Sequence, residues 1–219
     1  MPTFRELSTA AYCPRKLYYR RRDPDPAGEI PDSVADRRAL SFEYERLLTD
    51  DEALLAAPIE VTPTTYRSRL GCAKARLDAW EGLVDPPGEH VHLDGKDARG
   101  VAHKVIEEPL APAMAFTGAP PEQGVWEPQS VRTVAAALAL ANERQESVET
   151  AFVEYPAYGL VREIDVSARR RAQYRAALRT AAGVEEPPRR TDNREKCPPC
   201  EYREGCGVRT RSLRSMLGD

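Results

Sequence analysis

Three cysteines stand close together in Cys197-Pro198-Pro199-Cys200-Glu201-Tyr202-Arg203-Glu204-Gly205-Cys206, spaced CxxC and then CxxxxxC. Another, Cys13, lies almost a whole chain away in Ala11-Tyr12-Cys13-Pro14-Arg15-Lys16-Leu17-Tyr18-Tyr19. A CxxC turn aims two sulfurs at one point. A short Gly-containing loop brings a third, and a fourth completes a tetrahedral set. The reading is one metal centre held by Cys13, Cys197, Cys200 and Cys206, closing the two ends of the chain on each other. Free cysteine is often just a small buried hydrophobe. The late cluster, however, follows the polar stretch Arg189-Arg190-Thr191-Asp192-Asn193-Arg194-Glu195-Lys196, where no apolar core is being built. A disulfide pair is disfavoured, because the start of the chain lacks a signal-peptide pattern and reducing compartments keep thiols free. Zinc and an iron–sulfur cluster both accept four thiolates, and ligand count alone does not separate them.

The elements that must position these residues come next. The chain has 219 residues and a formal charge of -3, enough for one ordinary domain spanning 1–219. No apolar run approaches a membrane span, and the expectation is a soluble cytoplasmic protein. Arginine clusters at Arg20-Arg21-Arg22, Arg169-Arg170-Arg171 and Arg189-Arg190 suit phosphate, or are solvated helix faces.

Residues 8–22 read as a helix with Ser8 or Thr9 as cap and Pro14 as a bend or boundary. Asp23 to Gly28 is a turn-rich linker. Val34 to Leu48 reads as a second helix. From 54 to 82 the period changes to alternation, which predicts a β-meander carrying Asp78, with Cys72 a sheet or core residue. Short strands are expected at 90–93 and 101–106, with a weaker one at 111–118. Pro128 opens an Ala-rich helix. Strands 151–155 and 160–164 form a hairpin, Ser167 caps a helix ending at Gly183, and 208–216 is a last short helix. The order implies an α/β or α+β domain with one mixed sheet.

On these residues the chain resembles the RecB-like, CRISPR-associated exonuclease family that carries a [4Fe–4S] cluster, within the PD-(D/E)xK nuclease superfamily. The resemblance rests on the early YCPRKLYY helix, a meander Asp, the Ala-rich helix, the Tyr/Val/Glu hairpin and the terminal C-P-x-C-x5-C. It implies a restriction-endonuclease-like core with a mixed sheet flanked by helices. It also implies that Cys13, Cys197, Cys200 and Cys206 ligate the cluster, with 1–22 and 190–219 forming the cluster-binding part. Zinc remains the alternative in the cysteine site.

The nuclease chemistry of such a family needs two carboxylates on Mg²⁺ or Mn²⁺ to polarise a phosphate and activate water. A Lys two residues after the second carboxylate stabilises the developing charge. Asp78 matches the first carboxylate, and Glu43 or Glu45 is the candidate helical metal residue. The carboxylate–Lys pair has three registers. Asp94-Gly95-Lys96 looks like a turn. Ala102-His103-Lys104 keeps the Lys, so Lys104 is the candidate catalytic lysine, but Ala replaces the carboxylate. Met114-Ala115-Phe116-Thr117-Gly118 has the right context and neither group. The Gln and Tyr expected one turn apart on the next helix are lost if Arg132 and Ala136 occupy their places. Gln129 is followed one turn later by Thr133. Glu107, Glu108 and His103 are candidate migrated ligands. His90 and His92 share one strand face and are either a transition-metal pair or surface residues.

The expectation is therefore an iron–sulfur relative of a DNA exonuclease, linked to CRISPR adaptation or repair, whose nuclease metal site is degenerate. Its partners would be DNA, single-stranded above all, and other CRISPR or repair proteins. The alternatives are an active single-strand exonuclease with Mg or Mn, and a zinc-stapled interaction module.

Overall fold

A computed structural model describes residues 1–23 and 31–207. Most of the expected 23–28 linker and all of the expected 208–216 helix fall outside the described residues.

The first helix, α1 (Phe4–Tyr12), starts earlier than the polar residues Ser8 and Thr9 suggest. Thr3 caps it, and a capping box with Glu6 satisfies the first N–H groups from both sides. The helix stops at Cys13, whose backbone is extended (φ -162°, ψ 111°), and α2 (Pro14–Arg20) begins at once. Proline disfavours helical geometry in the residue before it and supplies no N–H to continue the ladder. Pro14 therefore places Cys13 at a corner between two helices.

The expected helix over 34–48 is interrupted. It divides into α3 (Asp32–Ala39), a 3₁₀ turn at Leu40–Phe42, and α4 (Tyr44–Thr49). The expected meander over 54–82 is absent. That region is helical: α5 (Asp51–Ala56), α6 (Pro63–Arg76) and α7 (Trp80–Val84). The reason is visible in the residues. Thr62 caps α6 by accepting from the Thr65 N–H, Pro63 sits at the first helical position, and Tyr66, Leu70 and Ala73 are buried on one face. The β-branched residues that suggest strands lie in the preceding loop, at the cap and in the first turn of α6.

The strands begin at β1 (Gly88–Asp94) and continue with β2 (Arg99–Glu107) and β3 (Leu110–Ala115). A Pro-rich loop then leads into α8 (Glu127–Arg144), β4 (Thr150–Tyr155), β5 (Leu160–Asp165) and α9 (Ala168–Gly183). They form one five-stranded sheet in the order β1-β2-β3-β4-β5. All neighbours are antiparallel except β3 and β4, which run parallel because α8 crosses over between them. The protein is thus α/β, with a mixed sheet covered by helices on both faces.

One core lies between the sheet and α1, α8 and α9, and includes Leu7, Met114, Val134, Val153 and Tyr174. The other lies under α4 to α7 and includes Tyr44, Leu70, Trp80, Ile106 and Phe152. The Ala-rich run of α8 is buried, so small side chains let this helix sit close on the sheet. Gly159 turns the β4–β5 hairpin at φ +58°, and a Cβ there would lie 2.8 Å from the Tyr66 carbonyl oxygen. Gly159→Ala combines a left-handed backbone with a clash. It is expected to lower unfolding free energy by more than about 1 kcal/mol in urea titration.

Candidate metal centre and the nuclease-motif residues

Cys13, Cys197, Cys200 and Cys206 line a single cavity, together with Tyr12, Tyr19, Tyr202 and a set of basic residues. None of the cysteines is in a disulfide. Local geometry explains how each reaches the cavity. Cys13 occupies the α1–α2 corner. A 3₁₀ turn at Arg194–Lys196 delivers Cys197, whose N–H donates to the Arg194 carbonyl. The Cys200 N–H donates to the Cys197 carbonyl at 3.1 Å, closing the CxxC turn, and the Cys206 N–H donates to the Tyr202 carbonyl at 2.8 Å.

The two chain ends are joined around this cavity by bonds that span nearly the whole sequence. The Tyr12 hydroxyl donates to the Lys196 carbonyl at 3.2 Å, and Lys196 Nζ donates to the Tyr12 carbonyl at 2.7 Å. Arg15 donates to the Pro188 carbonyl at 2.8 Å. Lys16 pairs with Glu201 at 2.7 Å. The Tyr202 hydroxyl donates to Asp23 at 2.8 Å, and its ring stacks on Tyr19 with centroids 6.1 Å apart.

Electrostatics mark the same place. Burial pushes the Tyr12 phenol up, and the charges of Cys200, Cys13 and Cys197 push it the same way. Burial would lower the Arg15 guanidinium, but the neighbouring Tyr19 hydroxyl and Cys206 thiol outweigh it and raise it. Arg15, Lys16, Arg190, Arg194, Lys196 and Arg203 all border the cavity. Cations in these positions would offset the negative charge of a thiolate-ligated metal centre. Four thiols on one cavity are the donor type that either an iron–sulfur cluster or zinc would use, although among the described residues no three His, Cys, Asp or Glu side chains, these cysteines included, stand in ligating arrangement.

The candidate residues expected for a nuclease site lie on separate elements. Asp78 is exposed in the turn joining α6 and α7, not on a strand as expected. Cys72 is exposed on α6, neither in the sheet nor in the core. Glu43 lies at the start of α4 and pairs with Arg46 at 2.9 Å. Glu45 accepts from Lys74 at 2.8 Å and from the Trp80 indole at 2.6 Å. The Lys74 bond first, then the Trp80 bond, holds its carboxyl below the usual range. Glu107 is exposed and pairs with Arg144, while Glu108 lies in the β2–β3 turn. Asp94 ends β1 beside the turn that carries Lys96. His92 is exposed on β1. Among the described residues, no group of three or more His, Cys, Asp or Glu side chains is arranged to hold a single metal ion.

Lys104 is in the interior, with no exposed side-chain surface. Its ammonium donates to Glu154 Oε2 at 2.9 Å and to the carbonyls of Ser41 and Leu83 at 2.6 and 2.7 Å. Those three bonds use its whole donor capacity. Gln129 is engaged after all, since its Oε1 accepts from the Tyr155 hydroxyl at 2.5 Å. That tyrosine comes from β4 rather than from one turn further along α8.

Sequence reasoning passed over the Lys104–Glu154 pair and the cationic group around Arg132. The one available signal was a lone Lys inside an apolar strand and a lone Glu inside another. No family model matches this chain, and no curated protein matches it.

Proposed function

We propose that this protein is an iron–sulfur-cluster protein on a RecB-like nuclease scaffold, bound to DNA and not itself a metal-dependent exonuclease. The observation that carries the reading is the meeting of Cys13 with the terminal cysteine trio at one cation-bordered cavity. Support for the scaffold comes from the mixed sheet flanked by helices, with the β3 strand leading through a Pro loop into the Ala-rich helix. That is the context in which the resemblance puts the carboxylate–Lys strand, and here that strand is Leu110-Ala111-Pro112-Ala113-Met114-Ala115. None of these side chains binds Mg²⁺ or offers a positive charge. The exposure of Asp78 on a turn and the engagement of Lys104 in internal bonds support a reading without hydrolytic chemistry. The cluster would join the chain ends and carry one-electron chemistry when bound; Cys13, Cys197, Cys200 and Cys206 would hold it.

Protein purified without oxygen should be brown and contain iron and acid-labile sulfide. A colourless protein with stoichiometric zinc would replace the cluster reading with the stapled-module one. Labelled single-stranded DNA should be bound with an affinity that falls as salt rises, and should stay intact with Mn²⁺. Asp78→Ala is expected to leave both binding and stability within about 0.5 kcal/mol of the parent, as for an exposed surface change. Cleavage that Asp78→Ala abolishes would restore the active-exonuclease reading.

A further inference from the structure

Near the β3–α8 connection, two arginines each carry a buried Nε–H with no acceptor. Arg132 projects from α8 with its guanidinium 5.6 Å from the Phe116 ring centre. Its Nε is buried and has no hydrogen-bond partner, and the same is true of Arg38 Nε on α3. Among the described residues neither guanidinium has an ion pair. The charges acting on Arg132 are those of Arg38, Arg5 and Arg20; burial first, then these cations, hold it down to about 10.

His103, on β2, completes the set. It is 3% exposed, and its Nδ1 accepts the Ala115 N–H at 2.7 Å. That bond assigns the ring proton to Nε2 in the neutral form. Burial first, then the charges of Arg132, Arg38, His90 and Lys104, holds His103 down to about 3, so the ring is neutral near pH 7. Its Nε2–H is then a donor that no described residue accepts. His90 stands against it with ring centres 6.3 Å apart and stacks on Phe42.

Arg38 and Arg132 are half-buried, and a buried Nε–H without an acceptor is unfavourable, the more so where neighbouring cations repel the charge. Nearly all buried polar groups in native proteins find a partner. The missing partner here must be anionic, must accept several hydrogen bonds at once, and must suit the planar fork of Arg. A phosphate group has that chemistry.

We propose that Arg132, Arg38 and the Nε2–H of His103 form a metal-independent binding pocket for a phosphate group, with Arg5 at its exposed rim. This does not depend on what the cysteines hold, and it stands or falls separately from the cluster reading. The phosphate is either free, carried by a mononucleotide, or the end of a nucleic acid strand.

The test uses the full chain in phosphate-free buffer at constant ionic strength. Inorganic phosphate should bind saturably by calorimetry and raise the melting temperature, where sodium chloride does not. Arg132→Met should weaken phosphate binding at least 10-fold. It should also melt higher than the parent without phosphate, because it removes a half-buried charge that neighbouring cations repel and whose Nε–H has no acceptor; an arginine with a purely structural role would change melting in the opposite direction. Arg38→Gln serves as the second variant and should weaken phosphate binding without loss of fold. Deoxyadenosine monophosphate and single-stranded oligonucleotides with and without a 5′ phosphate identify the source. Tighter binding of the phosphorylated strand, lost in Arg132→Met, assigns a strand end; binding of phosphate or the mononucleotide alone assigns a free ligand. No saturable binding by any of these probes, or binding that Arg132→Met and Arg38→Gln leave unchanged, overturns the proposal.

Discussion

Cys13→Ser is expected to empty the proposed metal centre and destabilise the protein as severely as Cys200→Ser, although the two cysteines lie at opposite ends of the chain. The expectation follows from where Cys13 sits. It is the corner residue between α1 and α2, and the segment beside it is bonded to residues 184 positions away through Tyr12 and Lys196. A centre that binds the folded chain and not the unfolded one adds its binding free energy to folding. Three remaining thiolates leave one coordination position to water or to nothing. Apart from the hydrogen bonds of Tyr12, Arg15, Lys196 and Tyr202, the ends are joined by exposed pairs such as Lys16–Glu201, which contribute only about 0–1 kcal/mol. Most of the adhesion of the terminal segment would then come from the centre itself. A loss of at least about 3 kcal/mol is expected, within the range for removing a native cross-link. Iron and sulfide per chain, with melting temperature, measure it. Cys72→Ser is the control: that residue is exposed on α6 and both readouts should match the parent. A Cys13→Ser protein with full metal content and unchanged melting would remove Cys13 from the centre.

The parts of this fold that were legible in the sequence are those set by local chemistry. Gly159 between two apolar runs predicts the β4–β5 hairpin, Ser167 predicts the start of α9, and the alanines of α8 predict a close-packed helix. Pro14 marks the corner at Cys13. The misread region, 54–82, shows the converse. There the alternation of β-branched and aromatic residues was a coincidence of two segments, and the Thr62-Pro63 helix start carried the real information. Asp78 was placed on a strand only because its neighbours were. What no local pattern reveals is pairing across the sheet. Lys104 and Glu154 are 50 positions apart, and each looks alone like a surface charge in the wrong place. Arg38, His103 and Arg132 come from three elements whose order in the chain says nothing of their meeting.

Lys104→Met is expected to be among the most damaging single substitutions, because its side chain is fully enclosed and all its bonds are internal. Lys104 is on β2 and Glu154 on β4, and the strand between them places Ala113 beside Lys104 and Ala115 beside Glu154. Alanine leaves room for the long side chain to cross β3 and meet the carboxylate. The ammonium also holds the helical layer, through the carbonyls of Ser41 and Leu83, and lies 5.0 Å from the ring centres of both Phe42 and Tyr44. Glu154 is equally enclosed, and its second oxygen has no hydrogen-bond partner, like the nearby hydroxyls of Tyr44 and Tyr66. Burial first, then the Glu154 charge, holds the Tyr44 phenol well above its ordinary value. Removing the Lys charge leaves this carboxylate and two carbonyls unsatisfied in the interior. Breaking a buried pair in that way costs about 3–5 kcal/mol. Replacing both partners with apolar side chains of similar volume removes the stranded charge. Lys104→Met with Glu154→Leu should therefore recover much of the loss, and urea unfolding of the two single variants and the double variant measures the coupling directly. A catalytic lysine would behave otherwise: its loss would leave the unfolding midpoint near the parent value, and the double variant would be no better than the single. A midpoint unmoved by Lys104→Met would mean that the interior bonds to Glu154, Ser41 and Leu83 contribute little, and would return Lys104 to the list of groups available to a substrate.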